Sequence, residues 1–119
     1  MKTETSGIEK YGPKIWAIIH FSAANYEPHL KTDFKNFIYS ILKFIPCKIC
    51  QDHFKKIIKE EFKLEKYLGS NEECFYWAYM AHDSVNRRLN KKTPSYVSVK
   101  NEYYNKYEKC SVPNVFNSF

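Results

Sequence analysis

Five apolar residues of this 119-residue chain, Phe34, Phe37, Ile38, Ile41 and Leu42, recur at i, i+3, i+4, i+7 and i+8, the period of one buried face of an α-helix. Thr32 or Asp33 stands where it can cap that helix. No stretch alternates apolar and polar residues as a half-buried strand would, so an all-α fold is expected. Only three Gly and five Pro argue the same way, against a turn-rich β-sandwich.

Prolines and cap residues divide the rest. Gly12-Pro13 precedes Ile15, Trp16, Ile18, Ile19, Phe21 and Ala23, which reads as a helix begun by Pro at its first position, where its missing N–H costs nothing. It should end near Tyr26 to Pro28. Pro46 breaks the chain and restarts it, predicting a third helix from about Cys47 to Glu60 that buries Cys50, Phe54, Ile57 and Ile58 on one side. Ser70-Asn71-Glu72-Glu73 has the form of a capping box. The fourth helix it opens carries Cys74, Ala78, Ala81, Val85 and Leu89 as one stripe, with His82 and Asn86 together on a neighbouring face. After Asn90 to Pro94, a shorter fifth helix is expected from Ser95 to about Tyr107. Short antiparallel helices with brief connections pack as a bundle. Nine Phe, ten Tyr and two Trp can fill its core, and the length suits one domain. That domain is expected over 12–108, after an N-terminal segment 1–11 and before a tail 109–119.

The net charge of +6 is spread along the chain in short pairs such as Lys55-Lys56, Arg87-Arg88 and Lys91-Lys92. This is not the dense basic stripe with stacking aromatics that nucleic-acid binding needs, so no nucleic-acid partner is expected. No apolar run reaches the ~18 residues of a membrane span, and Met1 to Lys10 lacks the apolar core of a signal peptide. A cytoplasmic chain, neither secreted nor spanning a membrane, is the expectation.

Four cysteines in a reducing compartment point to redox chemistry or metal rather than to structural disulfides. Cys47 and Cys50 follow Pro46 at a helix start, where the helix dipole and the neighbouring Lys48 favour a thiolate. One turn of spacing lets the two sulfurs join. Cys47, the more exposed, would exchange with a substrate, and Cys50, facing inward with Phe54, would meet an electron sink. The alternative is a small zinc-binding interaction module using Cys47, Cys50, His53 and Cys74, although structural zinc sites usually pair two two-ligand knuckles and no second one follows. A thioredoxin-like domain is disfavoured by the missing βαβ pattern. A dithiol makes no net disulfides unless its electrons pass onward, so a cofactor is implied. Trp16 with His20, and His82 with Asn86, are i, i+4 pairs that can face one cavity, stacking on a planar ring and hydrogen-bonding its edges. Taken singly, either pair is better explained as an aromatic core residue beside a satisfied histidine.

Gly12, Trp16 and His20 match the Gly-x-x-x-Trp-x-x-x-His start of the Erv/Alr sulfhydryl oxidases, and Phe44-Ile45-Pro46-Cys47 through Cys50, His53 and Phe54 match the segment around that family's active dithiol. Trp77, His82, Val85, Asn86, Leu89 and Lys91 match the Trp-x(4)-His-x-x-Val-Asn-x-x-Leu-x-Lys signature of its FAD site. The chain thus resembles this family over about residues 12 to 96. The resemblance implies a four-helix bundle with a short fifth helix, holding FAD non-covalently with its isoalloxazine beside the dithiol. It implies that Cys47 takes electrons from a substrate dithiol, that Cys50 attacks the flavin in a charge-transfer step, and that oxygen accepts the electrons as hydrogen peroxide. Trp16, His20, His53, His82, Val85, Asn86 and Lys91 would be cofactor-binding positions, with Lys14 and Tyr96 near the phosphates or adenine.

The implied partners are a dithiol protein substrate or thioredoxin-like relay protein, oxygen, and a second copy in a homodimer. The length resembles short viral members, which would place the work in a host cytosol, on viral proteins. The chain departs from the family at Pro13, where Arg is usual, and at Asp83, where His-Asn becomes His82-Asp83. Met80 or its neighbours and Ser98 stand where the family's second disulfide is expected, so packing and FAD affinity must find other support. Cys74 reads as a buried free thiol. Cys110 is inert, intermolecular, or a partner for Cys74.

Overall fold

The computed structural model describes residues 8–104, so the domain end at 108, the tail with Cys110, and the close of the fifth helix near Tyr107 lie outside the described residues. Those residues form α1 (Ile8–Ala24), α2 (Lys31–Phe44), α3 (Lys48–Lys56), α4 (Asn71–Arg88) and α5 (Tyr96–Tyr104). Among them there is no strand. The pairing of α1 with α4 is the most extensive, α2 and α3 close the other side, and α5 packs on α1.

The core takes Ile19 and Ala23 from α1, Phe34, Ile38 and Leu42 from α2, Phe54 from α3, and Cys74, Phe75, Trp77, Ala78 and Ala81 from α4. Burying each large apolar side chain contributes about 1.5–3 kcal/mol against the entropy of ordering it. Trp77 fills the centre with no exposed surface, and its Nε1 donates to the Phe62 carbonyl at 2.8 Å.

Local structure differs from expectation at several ends. Helix α1 is already formed at Ile8, the first described residue and within the expected N-terminal segment, so Pro13 lies inside it rather than opening it. Pro13 has no N–H to give the Glu9 carbonyl and its ring crowds that carbonyl, so the irregularity it causes stays at the N-terminal end of the described helix. Neither Thr32 nor Asp33 caps α2; a 3₁₀ turn over Pro28–Leu30 runs straight into it, with the Lys31 N–H bonded to the Pro28 carbonyl. Asp33 instead lies in the first turn of α2, favourable for the helix dipole. After Lys56 the chain forms a π turn over Ile57–Glu61, closed by the Phe62 N–H on the Ile57 carbonyl at 2.9 Å. Ile57 and Ile58 are buried as expected, while Cys50 is only half-buried.

Ser70 does cap α4, its Oγ accepting the Glu73 N–H at 3.1 Å. The other end closes as a Schellman motif: Asn90, at φ 60, lets its own N–H reach the Arg87 carbonyl and the Lys91 N–H reach that of Asn86. Leu89 therefore leaves the expected stripe and is 45% exposed. Polar contacts hold α5 where the family's second disulfide is lacking. Thr93 Oγ1 donates to Asp83 at 2.6 Å and accepts from Asn86 Nδ2 at 3.2 Å, and the Tyr79 hydroxyl donates to the Pro94 carbonyl at 2.7 Å. Asp83, which breaks the family's His-Asn pattern, is thus one anchor of the α4–α5 connection.

Candidate active site

Ile45, ahead of Pro46, is extended, and after the bend at Pro46 an extended Cys47 takes the N-cap position of α3, just ahead of the first turn rather than in it. Its sulfur accepts the Cys50 N–H at 3.3 Å. The Cys47 thiol is pulled below its ordinary pKa first by a hydrogen bond from the Cys50 side chain, and further by the Cys50 and Ile49 N–H groups and the charge of Arg88. Burial pushes Cys50 the other way, reinforced by the hydrogen bond it gives Cys47. The reduced pair therefore holds its negative charge on Cys47, with Cys50 as the S–H donor. Lys48, the expected local cation, is 80% exposed and paired with Asp52 at 2.9 Å, so it is screened. The cation that acts on the sulfurs is Arg88, from α4.

Phe54, one turn beyond Cys50, meets the indole of Trp16 edge-on at 5.9 Å. Trp16 lies flat on His82, with ring centroids 4.4 Å apart and planes within 2°. His20 Nε2 and His82 Nδ1 share a hydrogen bond of 2.9 Å. Burial, then the neighbouring His82, lowers His20 to a pKa of about 3; burial, then Lys91, lowers His82 to about 4. Both rings are neutral at physiological pH. His20 Nδ1 is buried and, among the described residues, has no hydrogen-bond partner. A flat aromatic stack beside a polar ring atom of this kind fits a planar heterocycle with polar edges, and so fits FAD.

The structure thus brings Trp16, His20 and His82 together and joins them to the dithiol helix through Phe54. Asn86 is buried one turn beyond His82 and Val85 is half-buried on the same helix, with the Asn86 amide turned to Thr93. Lys91 is exposed, yet close enough for its charge to act on His82, and Lys14 is exposed on α1. Tyr96 stands apart. It packs on Tyr76 and Tyr79 at 5.3 and 5.2 Å, and Phe75 intervenes between it and His20. Both ring nitrogens of His53 have protein partners: Nδ1 accepts from Arg88 Nε at 3.0 Å, and Nε2 meets Ser84 Oγ at 3.3 Å. A polar contact from His53 to a cofactor is therefore closed in this arrangement.

The zinc-site alternative fails on geometry. Cys74 is completely buried in the core, with its pKa pushed up to about 12 by burial, and His53 is committed elsewhere. No group of three His, Cys, Asp or Glu among the described residues can hold a metal.

Sequence reading missed Arg88, Ser84 and Glu61. Ser84 and Arg88 are an i, i+4 pair on α4, and Cys50 and His53 are i, i+3 on α3, spacings that were visible. What was not visible is that the two helices present those faces to each other.

Fold and site together define a helical-bundle dithiol redox protein whose sulfur pair adjoins, through Phe54, a stack of indole and imidazole rings. The Erv1 / Alr family model matches residues 13–105, and the chain belongs to that family. It is 32% identical over 98 residues to the FAD-linked sulfhydryl oxidase of African swine fever virus (isolate Pig/Kenya/KEN-50/1950), covering 78% of this chain and 79% of that protein. It is 30% identical to the mitochondrial FAD-linked sulfhydryl oxidase ERV1 of Saccharomyces cerevisiae, over 76% of this chain but 48% of that one. The crystal structure of the yeast Erv1 core superposes with a TM-score of 0.74 at 25% identity, covering 91% of this chain and 92% of the other. That of the FAD-binding domain of Erv1 from Saccharomyces cerevisiae gives 0.73 at 26%, over 85% and 97%.

Proposed function

We propose that this chain is an FAD-dependent thiol oxidase that forms disulfides in substrate dithiols through Cys47 and Cys50. The observation that carries the reading is the continuous path from dithiol to ring stack: Cys50 and Phe54 on one face of α3, Phe54 against Trp16, and Trp16 stacked on His82. The family match over 13–105 supports a domain over 12–108.

A substrate thiolate would attack Cys47 of the oxidised pair, expelling Cys50; the substrate's second thiolate would then displace Cys47 and leave as a disulfide. Cys50 takes up the proton that the substrate's second thiol gives up, so two electrons and the charge of one thiolate remain on the pair. The low pKa of Cys47 suits it to leave in the second displacement. Trp16, His82 and Val85 would hold the ring system, His20 Nδ1 would meet a polar edge, and Lys91, with Asn86, Lys14 and Tyr96, would serve the rest of the nucleotide. What FAD supplies there is a two-electron acceptor that oxygen can restore, releasing hydrogen peroxide. The neutral imidazoles of His20 and His82 keep that ring stack free of fixed positive charge.

Viral relatives support a narrower form of the reading, in which the substrate is a viral protein or a thioredoxin-like relay protein in a host cytosol. No helix among the described residues is long and apolar enough to cross a membrane. A homodimer is supported by Tyr11, Ile18 and Phe21, all at least half-exposed on α1; light scattering of Ile18→Glu against the unaltered chain tests it.

The test of the activity is an absorbance spectrum from about 300 to 600 nm, repeated after adding a dithiol in air with peroxide detection. Flavin bands that bleach and return as peroxide accumulates are expected, with turnover lost and flavin kept in Cys47→Ser and Cys50→Ser. A colourless protein, or a yellow Cys50→Ser variant with full turnover, would overturn the reading.

A further inference from the structure

Between α3 and α4 runs a chain of hydrogen bonds whose directions are fixed by chemistry. Arg88 has donors only, so the His53 Nδ1 that receives its Nε–H at 3.0 Å carries a lone pair. Neutral His53 then bears its proton on Nε2, directed at Ser84 Oγ at 3.3 Å. The Ser84 hydroxyl in turn donates to Glu61 at 3.0 Å. Every donor in this series meets an acceptor. Glu61 reaches Ser84 from the π turn, a helix irregularity that recurs at functional sites. His53 lies one turn beyond Cys50 on α3, so with Nε committed to His53 the guanidinium has its terminal nitrogens left for the Cys50 sulfur, and its charge favours the Cys50 thiolate.

We propose that Arg88 is a catalytic residue of the dithiol, touching the Cys50 sulfur, and that His53, Ser84 and Glu61 are positioning residues that hold its guanidinium there. The proposal rests on the oxidase reading for its consequence. When a substrate thiolate attacks Cys47, a substrate–Cys47 bond forms, the Cys47–Cys50 bond breaks, and the electron pair leaves on Cys50 as a thiolate. Exchange is faster when the departing sulfur is the better-stabilised anion. Half-buried Cys50 is the sulfur whose surroundings least favour charge, and Arg88 is the cation aimed at it. A second electrostatic source is weak here, because Lys48 is spent on Asp52.

The experiment uses the full chain with its flavin, carrying Cys47→Ser so that Cys50 alone reports for the pair. Its alkylation by iodoacetamide is followed against pH, resolved by site with mass spectrometry. Adding Arg88→Gln should raise the midpoint by about half to one pH unit and slow alkylation at pH 7.5 by roughly three- to tenfold, the range for a partly screened charge. Arg88→Lys should recover part of the loss, since it returns the charge without the fork. Ser84→Ala should shift the midpoint less, in the same direction. An unchanged midpoint in folded Arg88→Gln would overturn the proposal; if that variant does not fold, an unchanged midpoint in Ser84→Ala decides against it equally. A colourless or peroxide-silent parent would defeat the oxidase reading instead, and leave the thiol midpoints to be judged on their own.

Discussion

The imidazoles of His20 and His82 meet through a single 2.9 Å hydrogen bond that ties α1 to α4 beside the stacked indole of Trp16. One ring donates and the other accepts; protonating the acceptor at the shared nitrogen breaks the bond, and burial opposes a charge on either ring. Their folded pKa values, about 3 and about 4, lie well below the ordinary 6.5. A base with a depressed folded pKa binds more protons when unfolded. The stability it contributes is complete above about pH 6.5 and is lost as pH falls toward the folded value. The flavin-free protein should therefore lose about 2–3 kcal/mol from His20 between pH 6.5 and 4.5. Urea unfolding across that range should show the loss, and His20→Leu should flatten it; an equal slope in the variant would count against the neutral pair.

Trp77 secures the π turn from a distance, its indole N–H on the Phe62 carbonyl 15 residues earlier in the chain. Trp77→Phe keeps an aromatic ring in the core but abandons that carbonyl and opens a cavity. Destabilisation of roughly 2–4 kcal/mol is expected. Hydrogen exchange should accelerate at Ile57 to Phe62 more than in α2. Uniform acceleration would mean the tryptophan supports the core generally and not the turn.

Asn71 joins three helices. Its Nδ2 donates to the carbonyls of Ala24 and Tyr26 at 2.9 and 2.8 Å, at the end of α1, and its Oδ1 accepts the Tyr104 hydroxyl from α5. Asn71→Asp keeps the shape, exchanges the donor for a charged acceptor, and faces carbonyls with a carboxylate. It should cost more than Asn71→Ala, which should itself cost about 1–3 kcal/mol. Denaturant midpoints of the two variants provide the comparison, and the reverse order would show that the amide does not bind α1.

Much of this architecture was open to reading because it follows local rules. The stripe from Phe34 to Leu42 has the helical period, and Phe34, Ile38 and Leu42 are buried on α2. Ser70 is a preferred cap residue, and it caps. Cys47 also acts as a cap, yet sulfur is not among the usual cap acceptors, so its place just before α3 carried no signal. The π turn was hidden because Lys55 to Glu61 is compatible with an ordinary helix; what selects the wider turn is its anchor on Trp77. Arg88 read as one of a pair of surface cations. Only packing, with α3 laid against α4, turns an i, i+4 spacing from Ser84 into a cation held against the dithiol helix at His53. Tyr96 matches a family position near the phosphates or adenine, and packing sets it on Tyr76 and Tyr79, with Phe75 between it and His20.

Cys74 provides a test that separates burial from chemistry. It has no exposed surface and a pKa pushed up to about 12 by burial, whereas Cys47 is half-buried with a lowered one. Only the thiolate is alkylated, so Cys74 should be inert in the folded protein and react when it unfolds. In a Cys110→Ser chain reduced and treated with iodoacetamide at pH 8, Cys47 should be labelled first, Cys50 more slowly, and Cys74 at least about a hundredfold more slowly than Cys47, as its thiolate fraction and access both require. Its residual rate should rise with urea in step with global unfolding. Labelling of Cys74 at a rate independent of urea would instead reveal a local opening of α4 against α5, and would make this thiol available for redox chemistry in the native state.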